Sequence, residues 1–94
     1  MSKITVYIST VSSNLELKKH QQKIECILGN NYKGCDIEYI DIATSVDLKQ
    51  KMREVANDPK ALPPQFAKGD KYLGDYNAFD NAVEDEDIAG FLQI

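Results

Sequence analysis

Near the start of the chain, Ile4, Val6 and Ile8 alternate with Thr5, Tyr7 and Ser9, and β-branched or aromatic residues occur in both sets. A period of two marks a strand, and apolar character on both sides predicts one covered on both faces, hence central in its sheet. Thr10 to Ser13 breaks the alternation, and Ser13-Asn14-Leu15-Glu16 has the spacing of a capping box, so a helix is predicted from there. At helical spacing Leu17, Gln21, Ile24, Ile27 and Leu28 share one face, while Lys18, Lys19, Gln22 and Lys23 fall on the others. Gly29 is the expected stop. Cys35 to Ile42 reads as a second strand, with Ile37 and Tyr39 on one side and Ile40 and Ile42 on the other. The acidic Asp36 and Glu38 suit an edge position.

A second box, Thr44-Ser45-Val46-Asp47, opens a helix whose Leu48, Met52, Val55 and Ala56 recur at i, i+4, i+7 and i+8. Asn57, Asp58 and Pro59 end it, and Pro63-Pro64 returns the chain to an extended state, because each proline restricts the residue before it. Gln65 to Ala67 and Tyr72 to Leu73, separated by Lys68-Gly69-Asp70-Lys71, read as a short antiparallel hairpin. Tyr76, Phe79, Ala82 and Val83 restore helical spacing, and Ile88, Phe91 and Leu92 supply a closing turn or two. The order is β-α-β-α-β-β-α. Strands joined through a helix run parallel and a tight hairpin runs antiparallel, so the expected architecture is α/β with a four-stranded mixed sheet between helices. One domain over 1–94 is expected.

Composition narrows the function classes. The chain has 94 residues, 15 acidic against 11 basic side chains, a net charge of -4, two cysteines, one histidine and no tryptophan. Size scaling has a chain of this length removing roughly 65% of its extended surface from water, enough for a core without staples. Surplus negative charge opposes binding to phosphate backbones, so nucleic acid is not an expected partner. Cys26 and Cys35 form neither a C-x-x-C pair nor a zinc ladder, and two free thiols in a reducing compartment are expected. No stretch approaches the roughly 18 apolar residues of a spanning helix, and the start lacks a basic-then-apolar leader. The expected location is the cytoplasm, with the nucleus left open, and no membrane partner is expected.

The element order, with Leu62-Pro63-Pro64-Gln65-Phe66 followed by Tyr72-Leu73-Gly74-Asp75-Tyr76, resembles the thioredoxin fold in its glutaredoxin-like form. More narrowly, Ile4-Thr5-Val6-Tyr7-Ile8-Ser9, Lys18-Lys19-His20-Gln21-Gln22, Pro63-Pro64-Gln65 and Gly74-Asp75-Tyr76 resemble the SH3-domain-binding glutamic-acid-rich-like family, a glutaredoxin-related group. The likeness runs over essentially the whole chain and implies a three-layer fold. It implies a short, single-domain member, because the acidic tail of the family's founder has no counterpart before Ile94.

The resemblance also implies where chemistry would lie. A glutaredoxin starts its first helix with a cysteine, whose thiolate is favoured by the positive helix end. Here Ser13 falls near that position, beside Ser12, and a serine hydroxyl with no neighbouring base does not replace a thiolate in disulfide exchange. Ser13 reads as a cap, and His20, two turns on, as packed rather than ligating. The family's strand-opening cis-proline maps onto Pro64. Glutaredoxins hold glutathione with a lysine after the first strand, a double glycine and an acidic helix start. This chain has Ser9-Thr10, Gly74-Asp75 and Asn77-Ala78 there, and Asp75 would repel an incoming carboxylate, so glutathione binding is disfavoured and no cofactor is expected.

Prolines 59, 63 and 64 do not make the PxxP spacing of an SH3 ligand, and a loop tied into the fold does not form a polyproline helix without local unfolding. Cys26 falls on the same side as Lys19 and Lys23, which marks a candidate reactive thiol. Asp75, Asp80, Glu84, Asp85, Glu86 and Asp87 form an acidic run read as a solvated face, without the spacing of a calcium loop. The reading is a non-catalytic interaction or regulatory module whose unidentified protein partner meets a groove formed by Ser12, Ser13, Pro63, Pro64, Gly74 and Asp75. The alternative is a residual glutathione-binding or thiol-redox protein using Cys26.

Overall fold

A computed structural model describes residues 3–11, 15–31 and 36–94. The chain runs through β1 (Ile4–Ile8), α1 (Leu15–Asn31), β2 (Ile37–Asp41), a 3-10 turn (Ile42–Thr44), α2 (Val46–Ala56), β3 (Gln65–Lys68), β4 (Lys71–Asp75), α3 (Tyr76–Glu84) and α4 (Ile88–Leu92). The sheet order is β2-β1-β3-β4. β1 is therefore interior and the acid-flanked β2 lies at an edge, as their patterns require. β1 pairs parallel with β2, Val6 opposite Tyr39, and antiparallel with β3, Val6 opposite Phe66.

The alternation in β1 sorts the core into two layers. Ile4, Val6 and Ile8 join Phe66 of β3 and pack with Ile24 and Leu28 of α1, Phe79 of α3 and Leu92 of α4. The opposite phase, Tyr7 with Ala67 of β3, packs with Ile42, Met52 of α2 and Ala61. The sheet is thus sandwiched between α1, α3 and α4 on one face and α2 on the other, the three-layer thioredoxin-like arrangement. Phe66 lies parallel to Phe79 at 5.2 Å and edge-on to Phe91 at 5.2 Å. Such ring pairs add about 0.5–1.5 kcal/mol each beyond their buried area.

Four local expectations change. Gly29 does not end α1, which continues to Asn31. Its φ is not positive and a Cβ there would meet nothing within 4 Å, so it is an ordinary if poor helical residue. The cap of α2 is Ser45, whose hydroxyl accepts from the Asp47 N–H at 3.2 Å, whereas Thr44 turns back to donate to the Asp41 carbonyl at 2.9 Å. Ile42 belongs to the 3-10 turn rather than to a strand. The hairpin is longer than expected and turns through Gly69-Asp70 alone, with a bulge that leaves Leu73 without a direct partner between Phe66 opposite Gly74 and Ala67 opposite Tyr72.

Candidate functional site

The site is assembled at the end of the sheet where β1 and β2 finish and β3 begins. Past β1, the buried Gln21 of α1 reads the chain with both ends of its amide. The Ser9 N–H donates to its Oε1 at 2.8 Å, and its Nε2 donates to the Ser9 carbonyl at 2.9 Å. That pair fixes α1 against β1. Thr10 is held through its N–H and hydroxyl by Asp41, which also caps the 3-10 turn by accepting from the Ala43 N–H at 3.0 Å. These donors hold the Asp41 carboxyl below the usual carboxylate range, the Thr10 hydroxyl being the largest cause. The predicted helix start at Ser12 and Ser13 lies outside the described residues.

Between α2 and β3 the chain makes a loop fixed from behind. The Asp58 carboxylate accepts from the Lys60 N–H at 2.9 Å, and Arg53 Nε donates to the Ala61 carbonyl at 3.2 Å. The peptide bond between Pro63 and Pro64 is cis, and Pro64 is buried. Gln65, buried at the start of β3, donates from Nε2 to the Leu62 carbonyl at 2.6 Å and accepts from the Tyr72 hydroxyl at 2.6 Å. Burial pushes the Tyr72 hydroxyl pKa up, and the negative charges of Asp75 and Asp58 add to it. Arg53, Gln65 and Tyr72 thus position the backbone that carries the prolines.

The third wall is the start of α3. Asp75 caps the helix, accepting from the Ala78 N–H at 3.0 Å. Behind it Gly74 is buried at φ +151°, where a Cβ would lie 2.8 Å from the Ala78 Cβ and 3.0 Å from Phe91. The next side chain, Tyr76, stacks flat on His20 of α1, with ring centroids 3.7 Å apart and planes at 4°. Tyr76 also touches Phe79, so an aromatic series runs from Phe91 and Phe66 through Phe79 to the surface at His20.

The proline loop, the start of α3 and His20 of α1 enclose an open cleft of about 320 Å³ lined by His20, Asp58 to Gln65 without Pro59, and Asp75 to Asn77, and Ser9, Thr10, Gln21 and Asp41 lie outside that lining. Of the residues expected at a groove, Pro63, Pro64 and Asp75 line it, and Gly74 lies behind as packing. Leu62, on the rim, is 66% exposed. His20, Asp58, Leu62 and Tyr76 were not expected there. Only the acidity of Asp58 and the aromaticity of Tyr76 signalled anything, since the convergence of α1 with α3 is not encoded locally. Cys26 is exposed on α1, within reach of Asn30 Nδ2 at 3.5 Å, and is not a lining residue. Lys23, expected beside that thiol, is engaged by Asp80 at 2.8 Å. Of the acidic run, Asp75 and Asp87 cap helices and Asp80 holds Lys23.

Three comparisons place these features among known proteins. The sequence profile of the family described as SH3-binding, glutamic acid-rich protein matches residues 2–94. The Drosophila melanogaster protein named SH3 domain-binding glutamic acid-rich protein homolog is 35% identical over 101 positions, covering 97% of this chain. This chain spans 64% of that relative's length. Among solved structures, the C. albicans actin interacting protein Aip5 matches with a TM-score of 0.73 at 22% identity, over 97% of this chain and 88% of that one. A mutant form of actin interacting protein 5 matches with a TM-score of 0.72 at 15% identity, over 97% and 87%. At such identities the structural likeness speaks for the thioredoxin-like fold. The profile match over 2–94 and the Drosophila relative speak for descent, and the chain belongs to the SH3-binding, glutamic acid-rich protein family.

Proposed function

We propose that this protein is a non-catalytic, glutaredoxin-like interaction module that holds a segment of a protein partner in the cleft between the proline loop, the start of α3 and His20. The observation that carries this reading is the make-up of the cleft. It offers an exposed leucine, two prolines, a stacked aromatic pair and a few polar groups, and among the described residues no cysteine lines it. A concave surface with an apolar rim and a small number of placed polar groups suits ligand recognition. Thiol exchange needs a thiolate at the site, and Cys26 lies roughly 9 Å along the α1 axis from His20, the α1 residue that lines the cleft, since each helical residue advances 1.5 Å. The names of the relatives point the same way, one being called SH3 domain-binding and the others actin interacting.

Engagement of an SH3 domain through Pro63-Pro64 is disfavoured, because Pro64 is buried and the Leu62 carbonyl is already occupied by Gln65. A polyproline ligand presents its prolines to the partner's pockets. The reading is tested by amide NMR of the labelled chain, titrated separately with glutathione, an SH3 domain and fractionated cell extract, alongside an assay of glutathione mixed-disulfide reduction. The expected result is no turnover and shifts at residues 60–62, 65 and 75–77 with a protein fraction, lost in Leu62→Asp. Glutaredoxin-like turnover that disappears in Cys26→Ser would overturn the reading.

A further inference from the structure

The cleft has a bias in its hydrogen-bonding groups. Pro63 and Pro64 have no N–H, so this stretch of the loop can accept hydrogen bonds but not donate them. The Ala61 and Leu62 carbonyls are already occupied, by Arg53 and Gln65. Two carboxylates line it. Asp58 and Asp75 each spend one oxygen on a local backbone N–H, and the other oxygen of each has no hydrogen-bond donor among the described residues. Both stand in the lining of the one cleft. Against them stands the Lys60 ammonium, so the carboxylates and ammonium of the lining amount to two negative charges and one positive. The His20–Tyr76 stack adds a flat π surface at the same cleft. Acceptors, net negative charge and an aromatic face together match a donor-rich cation. An arginine or lysine has such a head, with an aliphatic stem that would follow the exposed Leu62.

Resting on the interaction reading above, we propose that the cleft selects a basic segment of its partner. An arginine or lysine side chain is held by the carboxylates of Asp58 and Asp75 and lies against the His20–Tyr76 stack, with an adjoining apolar residue on Leu62. An acidic peptide, or the carboxylates of glutathione, would meet acceptors with no donor from Pro63 or Pro64.

The test uses three capped peptides that differ at one position, Gly-Gly-Leu-Xaa-Gly-Gly with Xaa as arginine, citrulline or glutamate, titrated into the labelled chain at low salt. Citrulline keeps the shape and most donors of arginine but not its charge. The expected result is saturable shifts at Ala61, Gln65, Tyr76 and Asn77 with the arginine peptide. Partly exposed ion pairs lead us to expect binding about three- to tenfold weaker for citrulline, and weaker still for glutamate. Asp58→Asn and Asp75→Asn should each remove most of the arginine preference. Asn is as good a helix cap as Asp, so the second variant keeps α3 intact. Glutamate binding at the cleft as tightly as arginine would overturn the charge rule while leaving the interaction reading standing. Equal binding of arginine and citrulline, or an arginine preference untouched by both variants, would overturn it too. No shifts at the cleft with any peptide at millimolar concentration would sink this inference. If partner fractions also left the cleft unshifted, the interaction reading would fall with it.

Discussion

Gly74 and Gly69 both have positive φ, +151° and +62°, but only one of them is packed. A Cβ on Gly69 would meet nothing within 4 Å, whereas one on Gly74 would press on Ala78 and Phe91, the residues that seat α3 and α4 against β4. Gly69→Ala should therefore cost about 1–2 kcal/mol, a backbone penalty alone. Gly74→Ala should cost about 2–4 kcal/mol, because strain adds to overpacking. Urea unfolding of the two variants measures the difference, and equal losses would show that α3 yields to the added methyl. The resemblance to the glutaredoxin-like fold indicates Pro63, Pro64 and Asp75 for the groove, together with Gly74 and with Ser12 and Ser13, which lie outside the described residues. It had not indicated His20, whose stacking partner is 56 positions away. Gly29 was misread for the converse reason: glycine permits a helix end but does not impose one.

At the level of the element, α2 shows how closely a capping motif can be read. The Thr44-Ser45-Val46-Asp47 box located the helix correctly but missed its phase by one residue. Thr44 is drawn back to the Asp41 carbonyl by the intervening 3-10 turn, which leaves Ser45 to cap. Ser45→Ala should lower stability by about 1 kcal/mol, the usual cost of a lost cap, and Thr44→Ala by less than half of that. Reversed magnitudes in urea unfolding would return the cap to Thr44. The interior of α2 was plain from its periodicity. Met52, wholly buried beside Tyr7, Ile42, Ala61 and Ala67, carries the packing of this face, and Met52→Ala should cost about 2–5 kcal/mol. Helix interiors were legible because one apolar face repeats over several turns. Their ends depend on single hydrogen bonds to neighbours the sequence does not name.

Over the whole molecule, ionisation limits stability from both sides. Tyr7, Tyr39 and Tyr72 all have hydroxyl pKa values raised above 10.0, chiefly by burial. Each favours the folded state while protonated. That contribution is complete below the unfolded value and is lost as pH rises from there through the folded value, when the unfolded chain has released a proton the native one retains. Lys23, raised by its hydrogen bond to Asp80, acts in the same direction from about pH 10.5. Asp41 is opposite in sense. Its depressed pKa stabilises the fold above 3.8, and the contribution disappears as pH falls through the folded value. The urea midpoint should hold level between these limits and fall beyond about pH 10 and below about pH 4. Tyr72→Phe should soften the alkaline fall, and Asp41→Asn the acid one. A midpoint unchanged from about pH 8 to 11 would contradict the alkaline expectation.

The sequence by itself determined the order of the elements, the interior place of β1, the edge place of β2, the family and the lack of a cysteine near the expected start of the first helix. Each of these is a short-range property, because hydrophobic period, turn residues and residue identity all act within a few positions. Only the tertiary structure decided that His20, Asp58, Leu62 and Tyr76 share one cleft with Pro63 and Pro64, and that Arg53, Gln65 and Tyr72 hold the proline loop in place. That grouping follows from how the sheet orders its strands and how α1 and α3 pack on the same face. Side chains more than fifty positions apart are brought together by the burial of the Phe66–Phe79 core, and no local pattern records which of them will meet at its edge.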